Sequence, residues 1–357
     1  MIAEQSVAHG EERADARASP LAYSIIVPLF DCRDAGTRAL QSALDQTFPR
    51  ERYEVIAIVG ATASRDWPNA LLAQCNHVVA VDADFRAVES EIMLFDAGAK
   101  RARGDCLYFI EGHTVLAAGA LHAIDAAVKT AGGWAIACGR RTNHATTRLG
   151  VLIGANNDVH EARACEHGGF TLGANCVIRR SAFEALGGFD AALQRFNEAA
   201  LYERALQAQM RFVAVDVVLC THHNDAGLRW LIRLLVATGH AKARHYRSLR
   251  DAGTPLRIRH PVYRWLYPAP AAALAIVPLR AAGPLLIVVS MALARAFPRL
   301  AVTIYRLGVG CTDVSGFCVE RAFGQRHRGA PSHCVATHAT SAQSMNAVVG
   351  RMPATIE

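Results

Sequence analysis

The sequence predicts an α/β fold: a mainly parallel sheet flanked by helices, followed by a hydrophobic helical region. Three observations predict it. Short apolar runs alternate with stretches of helical periodicity through the first two thirds of the chain. That β-α-β-α order implies a mainly parallel sheet with helices on both faces. Beyond Asn224 the pattern gives way to a basic block and then to the most hydrophobic segment. With 357 residues and 52% hydrophobic composition, the chain can bury one large domain, or one domain plus an appendage.

The elements follow in order. The first twenty residues are polar and Ala-rich with no apolar core, and read as a disordered tail. "YSIIVPLF" is a buried strand, short and apolar on both faces. "GTRALQSALDQT" places Ala39, Leu40, Ala43 and Leu44 at helical spacing. "YEVIAIVG" and "HVVAVDAD" are the second and third strands, and "ESEIMLFDAGAKRARGD" a helix closed by Gly104. "CLYFI" is the fourth strand, halted at Glu111-Gly112-His113. "GRRTNHATTRLG" and "GANNDVHEARACEHGG" are polar and predict loops. A strand and short helix follow in "FTLGANCVIRRSAFEALGGFD", then a helix over Asn197–Gln209 and the strand "RFVAVDVVLCTHHN".

Between Leu228 and Arg264 lie nine Lys/Arg against one acid, Asp251; the block carries +8 of a net +7, so the rest sums to −1. No nucleic-acid partner is expected. A short helix is expected over Leu228–Ala237. Trp265–Ala294 follows with Arg280 as its only charge. A span needs about 20 apolar residues. Arg280 at mid-span costs roughly 2.5–3.5 kcal/mol on the insertion scale, and four prolines weaken a straight helix. A kinked span, a re-entrant hairpin, an interfacial segment and a buried helical pair all remain open, with the basic flank favouring a membrane. Ten cysteines without a Cys-x-x-Cys pair argue against a zinc ribbon and a disulfide framework, and for a reducing compartment.

In open sheets of this kind ligands collect beyond the carboxyl ends of the strands. Glu111 and His113 sit at such an end, two apart, where extended backbone would send both side chains the same way. His222 or His223 after the last strand could complete a Glu/His/His set, a mixed O/N site that suits Mn²⁺ and, less well, Mg²⁺. Glu198 opens a helix, where the macrodipole stabilises a carboxylate; it is a candidate general base.

Four stretches together resemble the family 2 glycosyltransferases, inverting, nucleotide-sugar-dependent enzymes of the GT-A fold. They are "YSIIVPLFDCRDAGTRALQSALDQTFPRERYEVIAIV", "DAGAKRARGDCLYFIEGHTVL", "GANCVIRRSAFEALGGFD" and "FNEAALYERALQAQMRFVAVDVVLCTHH". The resemblance implies a GT-A domain over 23–225, preceded by a tail (1–22). It is followed by a basic interface segment (226–264), membrane-associated helices (265–310) and a C-terminal tail (311–357). It implies that Glu111 and His113 replace the outer residues of an Asp-x-Asp metal motif, with His222 or His223 as a further ligand and Glu198 as base. Pro28, Phe30, Asp31, Val59, Gly60 and Asp82 would line the nucleotide site. The implied partners are a nucleoside diphosphate sugar, a saccharide or lipid-linked acceptor and the cytoplasmic face of the inner membrane. This chain departs from the family in having "VGATASRD" after the second strand, Asp96 for an Asn, and Asn197 for the first acid of a Glu-Asp pair.

A catalytically degenerate GT-A binding protein is the alternative reading. A nucleotidyltransferase would need a basic, Gly-rich loop after the first strand, where "PLFDCRDAG" offers one Arg and one late Gly. A dinucleotide oxidoreductase lacks its Gly-x-Gly-x-x-Gly.

Overall fold

The computed structural model describes residues 21–29, 33–60, 67–81, 91–166, 175–190, 193, 197–251, 253 and 261–323. Strand β1 (Tyr23–Leu29) is followed by α1 (Arg33–Leu44), β2 (Tyr53–Gly60), α2 (Asn69–Leu72) and β3 (His77–Val81). Next come α3 (Glu91–Arg101), β4 (Cys106–Phe109), β5 (Thr114–Leu116), α4 (Ala120–Thr130) and β6 (Trp134–His144). Then follow α5 (Arg148–Glu166), β7 (Cys176–Arg179), α6 (Arg180–Ala185), α7 (Asn197–Gln207) and β8 (Arg211–His223). Helices α8 (Leu228–Asp251), α9 (Pro261–Leu266), α10 (Ala269–Leu293) and α11 (Pro298–Phe323) complete the described chain.

The eight strands form one sheet in the order β3-β2-β1-β4-β7-β6-β8-β5. Strands β1 to β4 pair in parallel, and so do β6 and β8. Strand β7 runs antiparallel to both its neighbours, and β5 antiparallel to β8. The parallel half brings the carboxyl ends of β1, β2, β3 and β4 to one edge. Both faces of this half are covered, which explains the unbroken apolar runs. Ile25, Val27 and Leu29 pack with Leu40, Leu121 and Ile124 on the α1/α4 side. Ile26, Ile56 and Ile58 pack with Leu94, Phe109 and Leu201 on the other.

Two stretches expected to be loops, 139–150 and 154–169, are largely regular, with 167–169 outside the described residues. Residues 134–144 are β6 and residues 148–166 are α5. Strand β6 is buried only from Trp134 to Cys138; its second half alternates between partly and fully exposed side chains, so its period of two is written in polar residues. Helix α5 begins behind Thr147, whose Oγ1 accepts the Gly150 amide at 3.0 Å as an N-cap. Asp225, just past β8, clamps the same corner by accepting the Thr146 and Thr147 amides and both hydroxyls at 2.7–3.0 Å. Burial opposes charge on Asp225, but these four donors outweigh it and hold its carboxyl at about 2. The lowered value means the contribution is complete above the ordinary carboxylate range and disappears as pH falls towards 2. Asp225→Asn should therefore cost about 1 kcal/mol at neutral pH, the scale of a lost cap at an exposed site. In thermal melts the gap to wild type should narrow between pH 5 and pH 2; a gap independent of pH refutes the assignment.

The C-terminal helices also depart from expectation. The helix expected over Leu228–Ala237 runs on to Asp251. Residues 311–323, expected in the C-terminal tail, are the last turns of α11. Helix α10 is continuous through Pro278, Arg280 and Pro284 rather than a hairpin. Glycines set the spacing of this layer. A Cβ on Gly239 would lie 1.9 Å from the Asp313 carbonyl oxygen, and one on Gly316 2.1 Å from that of Val236. Helices α8 and α11 thus meet backbone to backbone. Part of the basic block is spent inside this contact. Lys242 pairs with Asp313, which also takes the Tyr263 hydroxyl, while His240, Arg244 and Arg247 gather on Glu320. Arg229, Arg233 and Arg264 remain exposed.

Candidate metal and donor site

The site forms where β4 ends. Glu111-Gly112-His113 is a tight turn, closed by the Thr114 amide donating to the Glu111 carbonyl at 2.9 Å. The two side chains meet because the backbone turns, and not because it is extended as the spacing suggests. The turn feeds β5, whose Thr114 lies opposite His222 on β8. The His223 amide then donates to the His113 carbonyl at 3.2 Å, which locks turn and strand together.

Three ligand atoms converge as a result. His222 Nε2 stands 2.7 Å from Glu111 Oε2 and 2.9 Å from His113 Nε2, and the third side, His113 Nε2 to Glu111 Oε2, is 3.5 Å. Neighbouring ligands of a first-row divalent ion, with bonds of about 2.1 Å, are forced to about 3 Å from each other. The residues present therefore fit a metal: two imidazole nitrogens and one carboxylate oxygen, already at ligand spacing. They are the one group of three or more such side chains at that spacing among the described residues. His222 is nearly buried, whereas Glu111 and His113 are open on one side.

The electrostatics are those of a cation site. Burial alone would raise the Glu111 carboxyl, but the hydrogen bond and charge of His222, then His113 and Arg141, overcome it and hold it well below the carboxylate range. Burial pushes His113 down to about 4, against the pull of Glu111 and with help from His222, His223 and Arg141. A neutral imidazole is the form that binds metal. His223, the other candidate, faces away and sets its ring edge-on to His144 at 4.9 Å. The geometry thus selects His222.

The remaining expected site residues are distributed as follows. Pro28, Val59 and Gly60 lie at the carboxyl edge, in β1 and at the end of β2. Phe30, Asp31 and Asp82 lie outside the described residues. Glu198 occupies the first turn of α7, partly buried. Asn197, where the family has an acid, is fully buried: its Nδ2 donates to the Asp190 and Leu193 carbonyls and its Oδ1 accepts the Asp190 amide. It pins the approach to α7. Sequence reasoning missed Arg141, whose charge acts on the triad from β6, and Asn224, which meets His222 Nδ1 at 2.7 Å and is itself bonded by Asn143 and Asn157. The hidden period of two in "RRTNH" is the one signal that could have exposed Arg141 and Asn143.

No family model matches the chain, and no curated protein matches it. Solved structures do. The mannosyltransferase PcManGT from Pyrobaculum calidifontis, solved with GDP-Man and Mn²⁺, aligns over 87% of this chain and 90% of its own, with TM-score 0.52 and 17% identity. S. aureus TarS 1–349, solved with UDP-GlcNAc, aligns over 86% of this chain and 92% of its own, with TM-score 0.46 and 13% identity. At 17% identity, what this chain shares with PcManGT is the architecture. In fold, then, this chain is a GT-A protein, as the resemblance of its sequence to the family 2 glycosyltransferases implies.

Proposed function

We propose that the chain is a glycosyltransferase that moves a sugar from a nucleoside diphosphate donor to a hydroxyl of a lipid-linked or polysaccharide acceptor, with inversion. The observation that carries this reading is the convergence of Glu111, His113 and His222 beyond the carboxyl end of β4 in a GT-A sheet. Those three residues would hold the cation, and two nitrogen donors favour Mn²⁺ over Mg²⁺. A bound divalent ion would neutralise the departing diphosphate as a Lewis acid. Arg141 adds positive potential beside the triad. Pro28, Phe30, Asp31, Val59, Gly60 and Asp82 would bind the nucleotide. Glu198 takes the proton of the acceptor hydroxyl as its oxygen bonds the anomeric carbon, and the bond from that carbon to the diphosphate breaks on the opposite face. A screen of nucleoside diphosphate sugars with Mn²⁺, read as release of nucleoside diphosphate, tests this. Donor binding without release favours the degenerate binding protein.

The same reading places the enzyme on the cytoplasmic face of the inner membrane. Ala271–Leu293 is the one described helix long and apolar enough to cross a membrane, and 17% of its apolar window is buried. Leu274, Val277 and Leu285 are exposed on it, and Trp265, Phe297 and Leu300 beside it. From residue 252 to 312 there are seven arginines and no Asp or Glu, a charge that suits anionic lipid. The full chain should sediment with vesicles containing phosphatidylglycerol. Leu274→Glu/Val277→Glu should weaken that binding at least tenfold, since each buried acid costs about 2 kcal/mol or more. Equal sedimentation of the variant refutes this face as the contact.

A further inference from the structure

The His222 ring is held from behind by a chain of three side chains. Asp158 Oδ1 can only accept, so Asn143 presents Nδ2 to it and turns Oδ1 towards Asn224. Asn143 Oδ1 accepts from Asn224 Nδ2 at 2.8 Å. The Asn224 oxygen therefore faces the other way. It accepts from Asn157 Nδ2 at 3.0 Å and meets His222 Nδ1 at 2.7 Å. An amide oxygen cannot donate, so the proton of that last bond belongs to His222 Nδ1. Nε2 faces His113 and the Glu111 carboxylate, which can only accept, so Nε2 donates there at 2.7 Å until a cation takes that place. Asn224 is 3% exposed, and strand register supports the arrangement, with Asn143 opposite His222 on β6.

We infer that Asn224, oriented by Asn143, Asn157 and Asp158, is the positioning residue that fixes the ring and tautomer of His222, so that Nε2 is the ligand atom. This rests on the metal reading above. Each amide in the chain has one orientation that satisfies both neighbours, so the terminal carboxylate sets the proton on an imidazole three residues away. An outer partner of this kind raises the affinity of the ligand it orients.

The test is Mn²⁺ titration by calorimetry of the full chain, wild type against Asn224→Leu and the double variant Asn224→Asp/Asp158→Asn. Asn224→Leu keeps the volume and removes the acceptor, and should lose about ten- to hundredfold in Mn²⁺ affinity. The double variant reverses the chain: the new carboxylate accepts from His222 Nδ1 and from a flipped Asn143, whose oxygen accepts from the new amide. It should recover affinity to within about threefold of wild type, a rescue that a merely structural role does not produce. In the Zn²⁺-loaded wild type, ¹⁵N-labelled His222 should carry its proton on Nδ1 and the ion on Nε2. Coordination through Nδ1, an Asn224→Leu affinity within threefold of wild type, or a folded double variant as weak as Asn224→Leu each overturns the inference. A wild type that takes up no Mn²⁺ removes the metal reading and this inference with it; one that binds Mn²⁺ but is indifferent to Asn224 removes this inference alone.

Discussion

Glu111→Ala and His222→Ala should each abolish Mn²⁺ binding in the micromolar to millimolar range and cut donor turnover by about 10²–10³-fold. Glu111 is the sole anion of the triad, and Arg141 lends positive potential to the same space. Without the carboxylate, two neutral imidazoles would have to hold a dication against that field. His222 is the member that touches both others, so its removal opens the set at its centre. Calorimetry and Mn²⁺ electron paramagnetic resonance would check this, and a variant that binds Mn²⁺ within threefold of wild type would rule its residue out as a ligand. The same site gives the metal-free protein an acid sensitivity. His113 is held at about 4 when folded, below its ordinary 6.5, so the unfolded chain binds more protons between those values. Stability should fall as pH drops from 6.5 to 4, and His113→Leu should flatten that slope in urea melts.

Glu198→Gln should lower kcat by about 10²–10⁴-fold, the usual worth of a general base, while leaving Mn²⁺ and donor affinity close to wild type. The separation of effects is the informative part. Glu198 lies on α7, remote in sequence from the triad, and the buried Asn197 beside it pins the start of that helix through three backbone hydrogen bonds. A carboxylate at a helix start so anchored loses little freedom on meeting an acceptor hydroxyl. Single-turnover kinetics with saturating donor would read the chemical step. Undiminished transfer in Glu198→Gln would transfer the base role to another residue, and a parallel loss of donor affinity would make Glu198 a binding group.

The parallel half of the sheet was legible because its physics is local. Strands β1, β2 and β4 are buried on both faces, so they read as apolar runs, and α1 and α3 read by their spacing. Strand β6 beyond Cys138 was not legible, because its side chains there are polar and alternate without a hydrophobic face. Helix α5 buries Leu149, Leu152 and two glycines in its first turns, too little for its pattern to stand out. The basic block read as a lipid-facing charge, yet Lys242 and Arg247 turn inwards to Asp313 and Glu320, acids about seventy residues away. No local pattern announces such a pairing.

By itself the amino-acid sequence determined the alternation of elements and the GT-A likeness, and it put forward Glu111, His113, the His222-His223 pair and Glu198 as candidates. Those properties depend on the chain within one or two turns of each position. Only the tertiary structure decided that Glu111 and His113 meet through a turn, that His222 and not His223 joins them, and that Asn224 stands behind the ring. Each of these depends on which strands lie side by side. Strand order is set by burial summed over the whole sheet, so residues 111 positions apart become neighbours at 2.7 Å.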